Sequence, residues 1–173
     1  MTEAYAILWQ DNTIMNLESG SLLSHSKMMR APYIARFTAK QGGINAFDFI
    51  LMSIRTEAGK DINKEIKALE NDISNARKTN PNEPNIIVVG SFNIEPSLGP
   101  NSLWSKTLGN LGLRCANNIE NLSEKHRSWD NIAWPLPTYT DYANEQGKDA
   151  LRISANTNVN NQLIWANFWA DND

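Results

Sequence analysis

Residues 61–78, "DINKEIKALENDISNARK", constrain this chain more than any other stretch, because only here do the apolar positions clearly repeat at helical spacing. Ile62, Ile66, Leu69, Ile73 and Ala76 fall four and three residues apart, which puts them on one stripe of an α-helix. Asp61 stands at the helix's positive end and Arg77-Lys78 at its negative end, as the macrodipole favours. A helix with a single apolar stripe needs a surface to lie on. With no second helix of comparable length in the pattern, that surface has to be a sheet.

The flanking sequence supplies strand patterns on both sides. "EAYAILW" (3–9), "TIMNL" (13–17), "YIARFTA" (33–39) and "AFDFILMSI" (46–54) precede the helix and read as an antiparallel meander with turns at Asp11-Asn12 and 41–43. "ESGSLLSHSKMMRAP" (18–32) reads as a polar loop. After the helix, "TNPNEPN" breaks the chain and "IIVVG" (86–90) is a strand. "SLWSKTLGNLGLRC" (102–115) reads as a short helix closed by glycine. "SWDNIAW" (128–134) is a strand, "PLPTYTDYANEQGKDA" (135–150) a long loop, and "QLIWANFW" (162–169) a last strand. The expected fold is α+β, a layered sandwich of mainly antiparallel sheets with outer helices, formed by residues 1–173 as one domain.

Composition narrows the function classes. At 173 residues the chain is long enough for one real core. A net charge of −3 argues against general nucleic-acid binding, which draws its affinity from neutralising phosphates. The same charge is too small for an acidic mimic of nucleic acid. One cysteine, Cys115, allows no internal disulfide, and no Cys/His cluster has the spacing of a zinc site. No apolar run reaches the length of a membrane span, and the N-terminus lacks the basic start of a signal peptide. These features point to a cytoplasmic protein.

Four segments in order carry a resemblance. They are "EAYAILW", "MMRAPYIARF", "FDFILMSIRTEAGKDINKEIKAL" and "IIVVGSFNIEPS", with "SWDNIAW" and "RISANTNV" matching less closely. The ordered set resembles the DNase I-like endonuclease/exonuclease/phosphatase superfamily, four-layered α/β sandwiches that hydrolyse phosphate esters with a divalent metal. The resemblance spans most of residues 3–169 and begins late, so the family's opening strand and helix, with their asparagine and metal-binding glutamate, have no counterpart. It implies a sandwich incomplete at the N-terminus, whose open sheet a second copy or another protein chain covers.

By the same resemblance, Glu3 occupies a catalytic glutamate position and Arg55 stands where a histidine would be. Ser91 replaces the aspartate of a Gly-Asp-Phe-Asn loop whose asparagine survives as Asn93, and Asp130 is retained from a later pair of acids. Ala155 and Asn156 replace the closing aspartate and histidine. Arg30, before Ala31-Pro32, and Asn93 are the candidate phosphate contacts. Arginine does not deprotonate in proteins, so Glu3 and Arg55 could form an ion pair but not an acid–base pair. Serine can donate a hydrogen bond to phosphate but brings no charge to orient a metal or a water.

Simpler roles stand beside these. Asn93 suits a turn cap, Arg30 an exposed arginine, Gly90 a position of unusual backbone conformation, and His25 and His126 solvated positions. Trp165 and Trp169, four apart in a strand, share one face and suit core or interface anchors. The expected function is therefore a non-catalytic homologue acting in binding or assembly, with no cofactor and no membrane, and nucleic acid not favoured. The alternative is a phosphodiesterase or endonuclease with a rearranged Mg²⁺ site of Glu3, Glu95 and Asp130, with Arg55 and Asn93 on phosphate.

Overall fold

The structure is a computed structural model that describes residues 5–40, 46–57, 59, 61–83, 85–94, 99–115, 130–135, 151–154 and 163–166. The described elements are β1 (Ile14–Leu22), β2 (Tyr33–Ala39), β3 (Asp48–Arg55), α1 (Ile62–Thr79), β4 (Ile86–Ser91), α2 (Leu103–Lys106), β5 (Leu113–Cys115), β6 (Asp130–Pro135), β7 (Leu151–Ser154) and β8 (Leu163–Ala166). A single 3₁₀ turn, Leu108–Leu111, joins α2 to β5. Six strands form one sheet in the order β1-β2-β3-β4-β6-β5, and β7 pairs with β8 in a second. This is the expected mixed α+β layering.

The helical stripe does what its spacing requires. Ile66, Leu69 and Ile73 are fully buried, Ala76 is nearly so, and Ile62 packs at the margin. They meet Ile50, Met52 and Ile54 of β3 and Ile86 and Val88 of β4 in the main core. Each fully buried Ile or Leu removes enough apolar surface to contribute about 1.5–3 kcal/mol. Because α1 crosses between them, β3 and β4 run parallel, whereas every other strand pair is antiparallel. The meander pattern holds for β1-β2-β3, and the parallel step belongs to the crossover.

Three local expectations are corrected. Residues 5–9, the described part of "EAYAILW", form no strand. Tyr5 stacks on Tyr33 at 6.1 Å between ring centroids and Trp9 meets Phe37 edge-on at 5.5 Å, so side-chain packing holds this segment against the sheet. The loop read from residue 18 begins later, because β1 keeps its pairing with β2 as far as Leu22 opposite Tyr33. It does so through two irregularities in register and by using Gly20, where a Cβ would sit 2.2 Å from the Tyr33 hydroxyl. The segment 102–115 is a helical turn, a 3₁₀ turn and a strand rather than one helix. Gly112, at φ 75°, closes the turn and starts β5.

Candidate functional site

The two faces of the six-stranded sheet follow from period-2 alternation. Ile50, Met52 and Ile54 face α1, while Phe49, Leu51, Ser53 and Arg55 face the other way. On β4, Ile87, Val89 and Ser91 share that second face. Register then aligns the strand ends. Arg55 lies opposite Ser91, and Ser91 lies opposite Asp130 at the start of β6. Three residues far apart in sequence therefore form one row across three adjacent strands. The row continues the column of Leu51, Val89 and Ile132, which pack in the smaller core on that face.

The backbone at this rim is tightly specified. Gly90 has φ 130°, and a Cβ there would lie 2.0 Å from the Ile54 carbonyl oxygen. Only glycine fits that approach, as its sequence context suggested, although it lies within β4 rather than in a loop. Two residues past the strand, Asn93 takes a left-handed conformation at φ 49°. Its Nδ2 donates to the Thr56 carbonyl oxygen at 2.7 Å and to Thr56 Oγ1 at 3.2 Å. Thr56, nearly fully buried, in turn donates its backbone N–H to the Ser91 carbonyl at 2.9 Å, and its hydroxyl to the same oxygen at 3.2 Å. Asn93 thus ties the end of β3 to the end of β4. Thr56, which sequence reasoning passed over, is the residue that receives this tether. Its only sequence signal was its place one residue after Arg55.

A second segment reaches the same end of the sheet. Residues 23–32, between β1 and β2, lie on α1, with Met28 buried in the main core. Two acids inside the helical stripe hold them. Ser26 Oγ donates to Asp72 Oδ2 at 2.6 Å, and the Met28 amide donates to Ser26 Oγ at 3.1 Å. The Met29 amide donates to Glu65 Oε1 at 2.8 Å. The other Glu65 oxygen, Oε2, accepts from the Glu57 amide at a longer 3.4 Å. Glu65 and Asp72 are both buried. Burial pushes the Asp72 carboxyl above its ordinary value, against the hydrogen bond from Ser26, which favours the charged form. Arg30 is paired with Glu57. It is a half-buried arginine in an ion pair rather than a freely exposed one.

The sequence-derived candidates thus divide. Arg55, Ser91, Asn93 and the backbone of Asp130 come together at one rim, and Arg30 reaches its border through Glu57. Glu3, Glu95, Ala155, Asn156, His126 and Trp169 lie outside the described residues. Trp165 falls in β8, and His25 is exposed as expected. Among the described residues no three His, Cys, Asp or Glu side chains gather as a metal-ligand group. Mg²⁺ prefers carboxylate and water oxygens in near-octahedral geometry. The described side chains at this rim are a guanidinium, a hydroxyl and a carboxamide, which do not by themselves fit that ion. Among the described residues no helix is long and apolar enough to cross a membrane.

No protein-family model and no curated protein matches the sequence. Solved structures do match by fold. An endonuclease/exonuclease/phosphatase family protein from Bacteroides thetaiotaomicron superposes with a TM-score of 0.51 at 14% identity, covering 95% of this chain and 65% of that one. A mannosyl-6-phosphatase from the same organism gives 0.50 at 14% identity, covering 85% and 61%. A humanized D. rerio TDP2 gives 0.49 at 15% identity, covering 72% and 50%. The chain spans between half and two thirds of the length of these solved chains. Its sheet order, its helix-covered face and the superpositions at TM-scores of 0.51 and 0.50 give one conclusion: the chain has a DNase I-like fold.

Proposed function

We propose that this chain is a non-catalytic DNase I-like homologue that acts as a binding or assembly protein. The observation that carries the reading is the row Arg55–Ser91–Asp130 across β3, β4 and β6. The superfamily resemblance puts a histidine and an aspartate at the first two of these places. Here they are a guanidinium that holds its proton at any physiological pH and a hydroxyl without charge. Catalytic groups that act as a unit lose most of their rate enhancement together. The two candidate phosphate contacts also have internal partners, Asn93 on Thr56 and Arg30 on Glu57. For assembly, the supporting feature is the edge strand β1, where Met15, Leu17 and Leu22 are 45%, 40% and 56% exposed. A second copy or another protein chain is the proposed cover.

The alternative, a divalent-metal phosphodiesterase or endonuclease with a rearranged site, draws support from the phosphatase among the structural neighbours. It requires Mg²⁺ to be held mainly by Asp130 with acids outside the described residues. One experiment separates the two. The purified chain is incubated with plasmid DNA, RNA and phosphomonoesters in Mg²⁺ or Mn²⁺. The expected result is no turnover above the protein-free control, with Asp130→Ala indistinguishable from the parent. Turnover that disappears in Asp130→Ala would establish the hydrolase.

A further inference from the structure

Residues 23–32 form a strap that two buried carboxylates of α1 fasten to the helix. Glu65 and Asp72 stand two helical turns apart and so share one face of α1. Asp72 accepts the Ser26 hydroxyl at 2.6 Å, Ser26 Oγ accepts the Met28 amide at 3.1 Å, and the Met28 side chain plugs the main core. Glu65 differs from Asp72 in serving two segments at once. Its Oε1 accepts the Met29 amide at 2.8 Å and its Oε2 the Glu57 amide at 3.4 Å. Glu57 follows Thr56, whose amide donates to the Ser91 carbonyl at 2.9 Å and whose own carbonyl accepts Asn93 Nδ2 at 2.7 Å. A line of hydrogen bonds, with one peptide link in it, therefore runs from the strap through a single carboxylate to the rim. The Arg30–Glu57 ion pair joins the same two segments nearer the surface, where water competes for both charges.

We propose that Glu65 couples the strap to the rim, so that residues 26–29 and the segment 56–57 after β3 open as one unit. The physical reason is the cost of a buried carboxylate that loses a donor. When the strap lifts, Glu65 keeps only its longer bond in a place that water then enters, and the Glu57 amide loses its dry partner. When the segment 56–57 opens first, the acceptor of the Met29 amide is loosened in the same way. Coupling of this kind is reciprocal. A partner that pulls on the exposed His25, Lys27 or Met29 loosens Thr56 beside the Arg55–Ser91 row, and a ligand that stiffens that row holds the strap down. The device goes beyond the binding role proposed above and stands whether or not the chain is catalytic.

The test is native-state hydrogen exchange of the full chain, followed by NMR in low urea. The amides of Met29, Thr56 and Glu57 are expected to open together, with one urea dependence and below the free energy of global unfolding. Separate openings, or opening only by global unfolding, overturn the proposal. Ser26→Ala unfastens the strap at Asp72 and is expected to speed exchange at all three amides about tenfold, the factor one hydrogen bond to a charged group contributes. Acceleration confined to Met29, or none at all, in a variant whose melting temperature shows it folded, overturns the proposal as well. Glu65→Gln keeps the size of the side chain but offers one acceptor oxygen in place of two. In that background the effect of Ser26→Ala on Thr56 and Glu57 is expected to vanish; an effect that survives there refutes the role of Glu65. In an Arg30→Gln background the effect is expected to remain, and its loss would assign the coupling to the ion pair instead.

Discussion

The two faces of the six-stranded sheet were built by different means. The α1 face is a continuous core in which Met52, Ile66, Leu69, Ile73, Ile86, Val88, Trp104 and Leu108 are wholly excluded from solvent. Among the described residues, Ala39, Phe47 and Ile87 form a smaller buried cluster on the opposite face, with Phe49, Leu51, Val89 and Ile132 partly covered. Phe37, Phe47 and Phe49 bridge the gap by stacking at 5.3–5.5 Å between centroids. The helix-covered face is where stability is concentrated. The second face carries the aligned row at its end. Stability and the candidate site thus occupy opposite sides of one sheet, joined at the rim by Gly90 and the Thr56–Asn93 tether.

Three changes would break or sharpen this contrast. The largest effect is expected at the junction. Gly90→Ala forces a side chain into a left-handed backbone and against the Ile54 carbonyl, at a combined cost of about 4 kcal/mol or more. Chemical denaturation should show either a collapse in stability or no folded protein, and a mild effect would mean that the β3–β4 end is not as rigid as its geometry indicates.

Next come paired truncations on the two faces. Leu69→Ala, in the fully buried stripe, is expected to cost about 2–5 kcal/mol. Leu51→Ala, partly exposed on the opposite face, is expected to cost about half as much, because less transfer energy and less cavity are involved. Equal losses in urea melts would show that the second face is as well covered as the first.

The smallest effect is a pH dependence inside α1. Burial raises the folded-state pKa of Asp72 above its ordinary 3.8. The folded chain therefore holds this proton more tightly than the unfolded one. Its stabilising contribution is fully present below the unfolded value and is lost as pH rises through the raised one. Asp72→Asn, which cannot ionise, is expected to gain on the parent as pH climbs from about 3 to about 7. A difference that stays flat over that range would mean that the Ser26 hydrogen bond fully offsets burial.

Much of the fold was legible in the sequence because local pattern governs it. The 61–78 stripe, the strand at 33–39 and the β-branched run at 86–90 emerge at those places, since burial of one face imposes period 3.6 or 2 on the residues. The segment 5–9 did not follow its apolar pattern, because Tyr5 and Trp9 found aromatic partners on the sheet without joining a ladder. β5 escaped notice because three residues are too few for a periodicity. The buried acids Glu65 and Asp72 were likewise hidden in a helix that reads as amphipathic, since their partners, Met29 and Ser26, are supplied from tens of residues away.

For the candidate site the division is sharper. Sequence alone determined which residue types were on hand: an arginine, a serine, an asparagine and an aspartate at positions the superfamily resemblance singled out, and a glycine where the chain has to bend. Only the tertiary structure decided that Arg55, Ser91 and Asp130 share one row, that Asn93 is committed to Thr56, and that Arg30 is held by Glu57. The reason is physical. Helix and strand periodicities arise from the covalent chain and its immediate neighbours. Register between strands and pairing between charges are fixed by which distant surfaces exclude water together, and no local window contains that information.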